Sequence, residues 1–257
     1  MLTPPEIARS LLAAGESKAR LPLGKMLLLA ILAGAYIALA GVGATAAAVT
    51  VESGSLAKLL SACVFPAGLS MVILAGSELF TGNCLMVMAL LERRITPAQL
   101  LRNWLTVYLG NAVGGAAVAA LAVYSHTASL FGDGLARSMV SIAESKAALG
   151  AGDAFLRGVL CNFLVCLAVW MAAASKRAEG KVIALFFPIL LFVLCGYEHC
   201  IANLYYLPAG AFAAAEYGME TTLTLAGCLE NLAAVTLGNL VGGAALGVGY
   251  RFAYLTE

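Results

Sequence analysis

Charged residues are scarce in this sequence. Only 11% of its 257 residues are Asp, Glu, Lys or Arg, 62% are hydrophobic, and the mean hydropathy is +0.94. Soluble domains carry roughly a quarter charged residues and about half apolar ones. A water-soluble fold would leave too much apolar surface exposed, and the abundance of apolar side chains excludes a disordered chain. The composition therefore predicts an all-α polytopic membrane protein.

Other functional signatures are also missing. The 15 basic and 14 acidic residues nearly balance, so there is no basic surface of the kind that nucleic-acid binding requires. The seven cysteines form no Cys-x-x-Cys pair, which predicts neither a disulfide framework nor a zinc site, and no cofactor is predicted. The first 25 residues lack a long apolar core, so we expect an amphipathic helix at the membrane surface rather than a cleavable signal peptide.

Apolar stretches with few charges predict six membrane spans. They are residues 26–51, 59–91, 103–132, 158–175, 182–215 and 231–250. A helix needs about 20 residues to cross the hydrocarbon core. The second and fifth stretches have 33 and 34 residues, and each holds a glycine close to a glutamate near its middle. We therefore predict two broken helices, whose irregular backbone lines a cavity or is buried in protein.

The distribution of Lys and Arg predicts the orientation. Eleven lie in the N-terminal arm, the loops after spans two and four, and the C-terminal tail. Only four lie on the other side: Lys58, Arg137, Lys146 and Arg157. Because basic residues accumulate in cytoplasmic loops, both termini are predicted to be cytoplasmic, which agrees with an even number of spans.

An internal repeat relates the two halves of the chain. Residues 103–115 and 231–243 are identical at eight of thirteen positions, at an offset of 128. At an offset of 120, Gly76, Glu78 and Asn83 match Gly196, Glu198 and Asn203. Three spans in each copy require opposite orientations, so we predict an inverted repeat of the transporter and channel type, with its site where the broken helices meet. Glycines at small-xxx-small spacing in both copies predict close helix packing.

Polar residues within or beside the spans are the candidates for function, because ionisable groups at membrane depth are costly. The ordinary pKa of histidine lies near neutrality, so we expect His199 to suit proton exchange with a weak acid. Glu78 and Glu198 are expected to accept N–H groups at a half-helix start, or to pin a neighbouring helix or subunit. Lys146 either attracts anions to a pore mouth or is an ordinary solvated lysine. Asn162 either lines the pore or joins helices.

Five motifs resemble those of the formate/nitrite transporter family. They are AGSELFTGN (75–83), NWLTVYLGN (103–111), RGVLCNFLVCLAVW (157–170), GYEHCIAN (196–203) and VTLGN (235–239). The resemblance extends from about residue 22 to residue 250. It implies a homopentamer in which each protomer has its own pore, with six spans in an aquaporin-like arrangement. It also implies a bacterial cytoplasmic (inner) membrane location and a transporter rather than an enzyme.

The resemblance also implies roles for individual residues. It places His199, Thr81 and Asn162 at the pore centre, and it places Phe65, Leu69, Leu79 and Phe192 at constrictions. It also places Glu78 and Phe80 in the second-span loop, and Glu198 and Asn203 at the fifth-span break. Lys146 is the residue that it assigns to anion attraction. The family moves small monovalent weak-acid anions such as formate, nitrite or hydrosulfide. A bare anion is costly to desolvate, so a proton from His199 or from water is expected to neutralise it.

These expectations divide the chain into three segments. Residues 1–25 form the cytoplasmic amphipathic helix, residues 26–250 the channel, and residues 251–257 a short cytoplasmic tail. The two repeats cover about 26–132 and 153–250.

Two other functions are alternatives to the predicted transport of weak-acid anions. A channel for neutral solutes of the aquaporin or ammonia type would share the architecture, but the sequence has no Asn-Pro-Ala motif and no twin histidines. A membrane enzyme or haem protein would need a second ligand or nucleophile beside His199.

Overall fold

The computed structural model describes residues 1–256 and is helical without strands over that part of the chain. The α-helices are α1 (Pro4–Ala19), α2 (Leu23–Ala46), α3 (Gly54–Val64), α4 (Pro66–Ala75), α5 (Phe80–Asn83), α6 (Val87–Leu91), α7 (Pro97–Tyr124), α8 (Gly134–Ala147), α9 (Ala151–Ala173), α10 (Ala178–Leu194), α11 (Cys200–Glu216) and α12 (Leu225–Tyr254). Short 3-10 turns cover Cys84–Met86 and Thr127–Ser129. This confirms the all-α fold class.

The second and fifth predicted spans are interrupted where the glycines predict. α4 ends at Gly76 (φ +78°) and α10 ends just before Gly196 (φ +69°). Glycine adopts this left-handed conformation without the steric cost that a side chain would bring. The next N–H reaches back to the helix in both cases, from Ser77 to the Val72 carbonyl and from Tyr197 to the Phe192 carbonyl (both 3.0 Å). A left-handed residue followed by this bond stops a helix.

Five helical segments in the described part of the chain are long and apolar enough to cross a membrane. They are Leu23–Ala46, Gly54–Ala75, Pro97–Tyr124, Ala151–Ala173 and Leu225–Tyr254. The fifth predicted span is divided into α10 and α11, of 17 residues each, so neither half reaches the length of a full span by itself. The count of six spans therefore stays a prediction that depends on α10 and α11 crossing the membrane together.

Several boundaries differ from the predicted ones. α7 and α12 begin six residues before the predicted spans, because Thr96 and Thr224 cap them by accepting the N–H groups of Gln99 and Gly227. α12 also continues past residue 250 into the predicted tail. Its last turn is held by Arg251, whose Nε donates to Glu92 Oε1 (2.8 Å). Residue 257 of that tail lies outside the described residues.

Glycines bring two pairs of helices into close contact, as their spacing predicts. Gly114 of α7 lies against α2, where an added Cβ would be 2.0 Å from the Ile31 carbonyl oxygen. Gly242 of α12 lies against α9, where it would be 2.1 Å from the Val159 oxygen. Both the glycines and the carbonyls are related by the offset of 128. The repeat is therefore present in the packing as well as in the sequence.

We expect Gly242→Ala to separate α9 from α12 and to lower the stability of the protein, because overpacking typically costs about 1–3 kcal/mol. Gly249→Ala in the same helix is the matched control, since an added Cβ there meets nothing within 4 Å. The SDS concentration that unfolds half of the purified protein measures both effects. Equal midpoints for the two variants would contradict the close packing of α9 and α12.

The repeat includes a short amphipathic helix at the start of each half. α1 and α8 each bury one face, and their last turns carry Lys18 and Lys146, which are again 128 residues apart. The repeat seen in the structure thus includes helices that precede residues 26 and 153, the approximate predicted starts of the two repeats. The N-terminal helix belongs to the repeat and is not an addition to it.

Candidate functional site

An asparagine from a neighbouring helix holds the first helix break. Asn111 Oδ1 accepts the N–H of Phe80 (3.0 Å), and Asn111 Nδ2 donates to the carbonyls of Ala30 (2.7 Å) and Glu78 (2.9 Å). Backbone groups that leave a helix at membrane depth need such partners, since lipid offers none. One buried amide therefore satisfies the broken backbone of this half.

The second break is held in the same way by Asn239. Its Oδ1 accepts the N–H of Cys200 (2.9 Å), and its Nδ2 donates to the carbonyls of Gly158 (2.8 Å) and Glu198 (2.9 Å). Each of these partners corresponds to one in the first half at an offset of 120 or 128. The motif analysis used the two asparagines only to identify the repeat. The recurrence of asparagine at equivalent positions of two apolar helices could have predicted that these amides bond the broken backbone, because a buried amide requires partners.

The two glutamates do not accept the half-helix N–H groups, which corrects that part of the prediction. Each carboxylate instead bonds a lysine of the short amphipathic helix in its own half and an asparagine five residues further on. The contacts are Lys18–Glu78 (2.7 Å), Asn83–Glu78 (2.7 Å), Lys146–Glu198 (2.9 Å) and Asn203–Glu198 (2.7 Å). The carboxylates therefore pin α1 and α8 to the breaks, which is the helix-pinning alternative.

Two further asparagines, which the sequence analysis did not single out, complete these networks. Asn103 Oδ1 accepts from Asn83 Nδ2 (2.9 Å), and Asn231 Oδ1 accepts from Asn203 Nδ2 (2.8 Å). Asn103 and Asn231 are fully or almost fully buried on α7 and α12. The predicted break residue Asn203 thus connects Glu198 to α12 and does not face the cavity.

The structure brings His199 and Thr81 together. His199 Nε2 lies 2.9 Å from Thr81 Oγ1, and His199 Nδ1 accepts the N–H of Ala202 (3.0 Å) at the start of α11. A backbone N–H can only donate, so Nδ1 carries no proton in this arrangement. The neutral ring therefore has its proton on Nε2, and Thr81 accepts it. The Thr81 hydroxyl proton then has no acceptor within residues 1–256 and is available to a substrate.

Asn162 is buried at the same level and joins helices. Its Nδ2 donates to the backbone carbonyls of Asn239 (2.7 Å) and Thr81 (3.3 Å), so both amide protons are engaged. Of the two roles that the sequence left open, this contact is the helix-joining one. It also positions Thr81 toward His199, and it does so without requiring Asn162 to contact a substrate.

None of the polar residues of this centre has a polar counterpart at its repeat position. The repeat positions of His199, Thr81 and Asn162 hold Leu79, Ile201 and Gly34. At the repeat positions the equivalent backbone is therefore built from apolar residues and glycine. The fold does not require a histidine or a threonine at these positions, which points to a functional reason for them.

Two aromatic rings close the space beside His199. Phe65 and Phe192 meet edge to face with ring centroids 5.6 Å apart, and Phe192 stacks on the His199 ring at 5.9 Å. Leu69 and Leu79, the other two predicted constriction residues, are each 3% exposed in the same core. Phe80, predicted in the second-span loop, begins α5 and packs against Tyr108 of α7 at 5.1 Å.

A cavity of about 790 Å³ leads to these rings. Phe65, Phe192, His199 and Lys146 all line it. Thr81 and Asn162 do not border this cavity. The cavity thus reaches both the aromatic pair and the His199 ring, but not Thr81. It forms the vestibule of the candidate pathway.

Glu144, on the same helix as Lys146, fixes the loop before α12. Its Oε1 accepts the N–H of Thr222 (2.7 Å) and the hydroxyl of Thr221 (2.9 Å). These bonds to the charged form lower the pKa of the Glu144 carboxyl below its ordinary value. α8 is therefore fastened to the following loop on one side and to Glu198 on the other.

His199 is not arranged as a metal or haem ligand. Both of its ring nitrogens are engaged within the protein, by Ala202 and Thr81. Within residues 1–256, no group of three or more His, Cys, Asp or Glu side chains is placed to hold a metal ion. The haem-protein alternative therefore lacks a free ligand at this position.

Comparisons with known proteins agree with the geometry. A profile of the formate/nitrite transporter family, described as "Formate/nitrite transporter", matches residues 5–253. The chain is 38% identical to a probable formate transporter of Methanothermobacter thermautotrophicus, over 99% of this chain and 98% of that one. Among solved structures it resembles an FNT family ion channel, with a TM-score of 0.87 and 32% identity, over 96% of this chain and 98% of the other. It also resembles a pentameric formate channel with formate bound, with a TM-score of 0.80 and 32% identity, over 91% and 98%.

Proposed function

Because this chain belongs to the formate/nitrite transporter family, we propose that it passes small monovalent weak-acid anions across a membrane. The relatives named above are transporters and channels rather than enzymes, in agreement with the prediction. Formate is the first candidate substrate, since two of them are named for it. Nitrite and hydrosulfide are the other candidates, because each is a small anion with a neutral protonated form.

The assembly that we propose is a homopentamer with a separate pathway in each protomer. A structural relative is described as a pentameric channel. In the single chain, many leucine and phenylalanine side chains are more than one-third exposed, which suits contact with lipid or with a neighbouring subunit. We further propose six spans in the membrane and cytoplasmic termini, on the basis of the Lys and Arg distribution. A bacterial inner membrane is the proposed location.

The observation that carries the proposal is the order of residues along the pathway. A cation-lined vestibule reaches the Phe65–Phe192 pair and His199, and His199 contacts the buried Thr81, which the vestibule does not reach. Leu69 and Leu79 are the proposed second constriction. An ion cannot cheaply lose its water between apolar rings, whereas a protonated weak acid is neutral and crosses at much lower cost.

The geometry favours water as the source of the proton. His199 Nδ1 faces the Ala202 N–H, so an imidazolium would place two donors against each other. His199 is therefore proposed as a neutral hydrogen-bond donor through Nε2. Because that N–H is donated to Thr81, the Thr81 hydroxyl is proposed as the one donor to a substrate oxygen at the centre of the path. This revises the expectation that His199 itself exchanges the proton.

A neutral-solute channel remains the competing function, because the constrictions are apolar. It predicts that anions do not compete with one another and that flux does not depend on the protonation of a weak acid. The cations of the vestibule favour the anion pathway, since a channel for neutral solutes gains nothing from them.

A competition assay tests the proposed function. The purified protein is placed in liposomes, and uptake of radiolabelled formate is measured at two pH values with nitrite, hydrosulfide, lactate or chloride as competitors. We expect weak-acid anions to compete, chloride to have little effect, and uptake to rise at the lower pH. Equal competition by chloride without pH dependence would instead indicate a plain anion channel.

His199→Asn tests the role of the histidine. Asparagine is a good N-cap whose oxygen can still accept the Ala202 N–H, but it does not titrate. We expect slower formate uptake with an unchanged pH profile, because the proton comes from water. Loss of the pH profile in a correctly assembled protein would assign the proton transfer to His199.

A further inference from the structure

The half-helix that carries Thr81 is distorted, whereas its counterpart in the other half of the chain is regular. α5 covers only Phe80–Asn83 and is followed by the 3-10 turn Cys84–Met86 before α6 begins. The equivalent residues, 200–211, all lie within the continuous helix α11. A short 3-10 stretch inside a helix often marks a functional position. The contacts that cause this distortion therefore bear on the role of Thr81.

Side chains of two neighbouring helices bond the carbonyls of this turn. The Thr81 carbonyl accepts from Asn162 Nδ2 and from the thiol of Cys166, both at 3.3 Å, and both donors belong to α9. The Asn83 carbonyl accepts the indole N–H of Trp104 on α7 (3.0 Å). In a regular α-helix each carbonyl accepts the backbone N–H four residues later. Side-chain donors thus compete here with the helix.

The backbone bonds of the turn show the result of this competition. The N–H of Val87, which an α-helix would direct to the Asn83 carbonyl, donates to the carbonyls of Cys84 and Leu85 instead. The Trp104 indole therefore takes the place of the Val87 N–H. The N–H of Cys84 donates to the Thr81 carbonyl, three residues earlier, which is the 3-10 pattern.

The side-chain donors have no counterparts in the other half of the chain. At the offset of 128, Asn162, Cys166 and Trp104 correspond to residues whose side chains have no hydrogen-bond donor, namely Gly34, Ala38 and Leu232. The half without these donors is the one with the regular helix α11. The fold therefore does not require the distortion, and the donors occur together with Thr81, whose own counterpart is Ile201.

We propose that Cys166 and Trp104 are positioning residues of the transport path. Together with Asn162, which already positions Thr81, they form a carbonyl clamp that fixes the turn so that the Thr81 hydroxyl is directed to the substrate. Cys166 is fully buried, and neither Cys166 nor Trp104 borders the vestibule, so both act through Thr81 rather than by contacting the substrate. The task of the Thr81 hydroxyl rests on the proposed function above.

Cys166→Ala tests the clamp, because it removes the thiol and introduces the residue that the repeat position already holds. We expect formate uptake to fall roughly three-fold, the effect of losing one weak hydrogen bond. Trp104→Phe removes the indole N–H but keeps a ring against Phe80, and a similar loss is expected. Cys166→Ser retains a donor and is expected to restore uptake to about the parent rate.

Cys161→Ala is the matched control. Cys161 is equally buried on α9, and it also corresponds to an alanine, Ala33, at the repeat position. Only Cys166 of the two donates to the turn within residues 1–256. We therefore expect Cys161→Ala to leave uptake at the parent rate, although it removes the same volume from the core.

The same changes in a Thr81→Val background separate positioning from packing. If Cys166 and Trp104 act through the Thr81 hydroxyl, replacing them lowers uptake no further once that hydroxyl is absent. A further loss in this background, or parent-like uptake by Cys166→Ala, would overturn the proposal. Uptake by the parent protein itself tests the proposed function, so the two failures can be told apart.

Tryptophan fluorescence follows the clamp without requiring transport. The chain has two tryptophans, so Trp170→Phe leaves Trp104 as the single reporter. We expect Cys166→Ala to shift the Trp104 emission maximum, because a released turn returns the Asn83 carbonyl to the backbone and leaves the indole without its acceptor. Cys166→Ser and Cys161→Ala are expected to leave the maximum unchanged. An unchanged maximum in Cys166→Ala would show that Cys166 does not hold the turn, whichever solute is transported.

Discussion

Replacing Lys146 by Met is expected to destabilise the folded protein by about 3–5 kcal/mol, the cost of leaving a buried charge without its partner. The affected charge is Glu198, whose side chain is 9% exposed and is held by Lys146 at 2.9 Å. Glu198 is adjacent to His199 at the second helix break, so formate uptake is expected to fall together with stability. The SDS concentration at half-unfolding and the uptake rate measure the two effects.

Two further variants make this prediction specific. Lys18→Met removes the equivalent lysine of the other half, whose side chain is more exposed, at 29%. Because water solvates the remaining Glu78 carboxylate more easily there, the loss of stability is expected to be smaller. Lys146→Met combined with Glu198→Met is expected to recover most of the stability, because no unpaired charge is left. If Lys146→Met unfolds at the parent SDS concentration, the ion pair does not hold α8.

Asn239→Leu is expected to have the second large effect. Leucine has a similar size but cannot accept the Cys200 N–H or donate to the Glu198 carbonyl, and both groups are buried at the break. Each buried polar group left without a partner costs about 1–3 kcal/mol. We therefore expect a loss of several kcal/mol in stability and little or no formate uptake, because the position of His199 depends on this segment.

The controls for Asn239 lie in the same helix and in the other half. Thr236→Val in α12 removes one side-chain bond, to Tyr108 (3.0 Å), and is expected to cost only about 1 kcal/mol. Asn111→Leu removes the equivalent bonds of the first break and is expected to resemble Asn239→Leu in SDS titration. A loss for Asn239→Leu no larger than that for Thr236→Val would show that the breaks do not depend on these amides.

Comparing the two halves separates structural residues from functional ones. Lysine, glutamate and the asparagines around the breaks recur in both halves and make the same contacts. His199 and Thr81 are replaced by Leu79 and Ile201 at the equivalent positions. Residues that recur explain the fold, whereas residues present in one half only are those to which we assign transport.

Much of the fold of this protein could be predicted from its sequence alone. The low charge content indicated a membrane protein, and the two long apolar stretches with glycines near their centres predicted the breaks at Gly76 and Gly196. These features are local, because they depend on composition, on length and on the conformational freedom of glycine. The repeat could also be predicted from the sequence, because helices that pack in the same way in the two halves have identical residues at a constant offset.

Only the tertiary structure decided which polar groups bond one another. From the sequence, Glu198 could cap a half-helix, Lys146 could attract anions, and Asn162 could line the pore. The structure instead pairs Glu198 with Lys146, leaves the N–H groups at the start of α11 to Asn239 and His199, and directs the Asn162 amide to two carbonyls. A buried polar side chain takes whichever partners the packed helices bring within about 3 Å. His199 and Thr81, for example, are 118 residues apart in the sequence, so no local pattern could identify such partners.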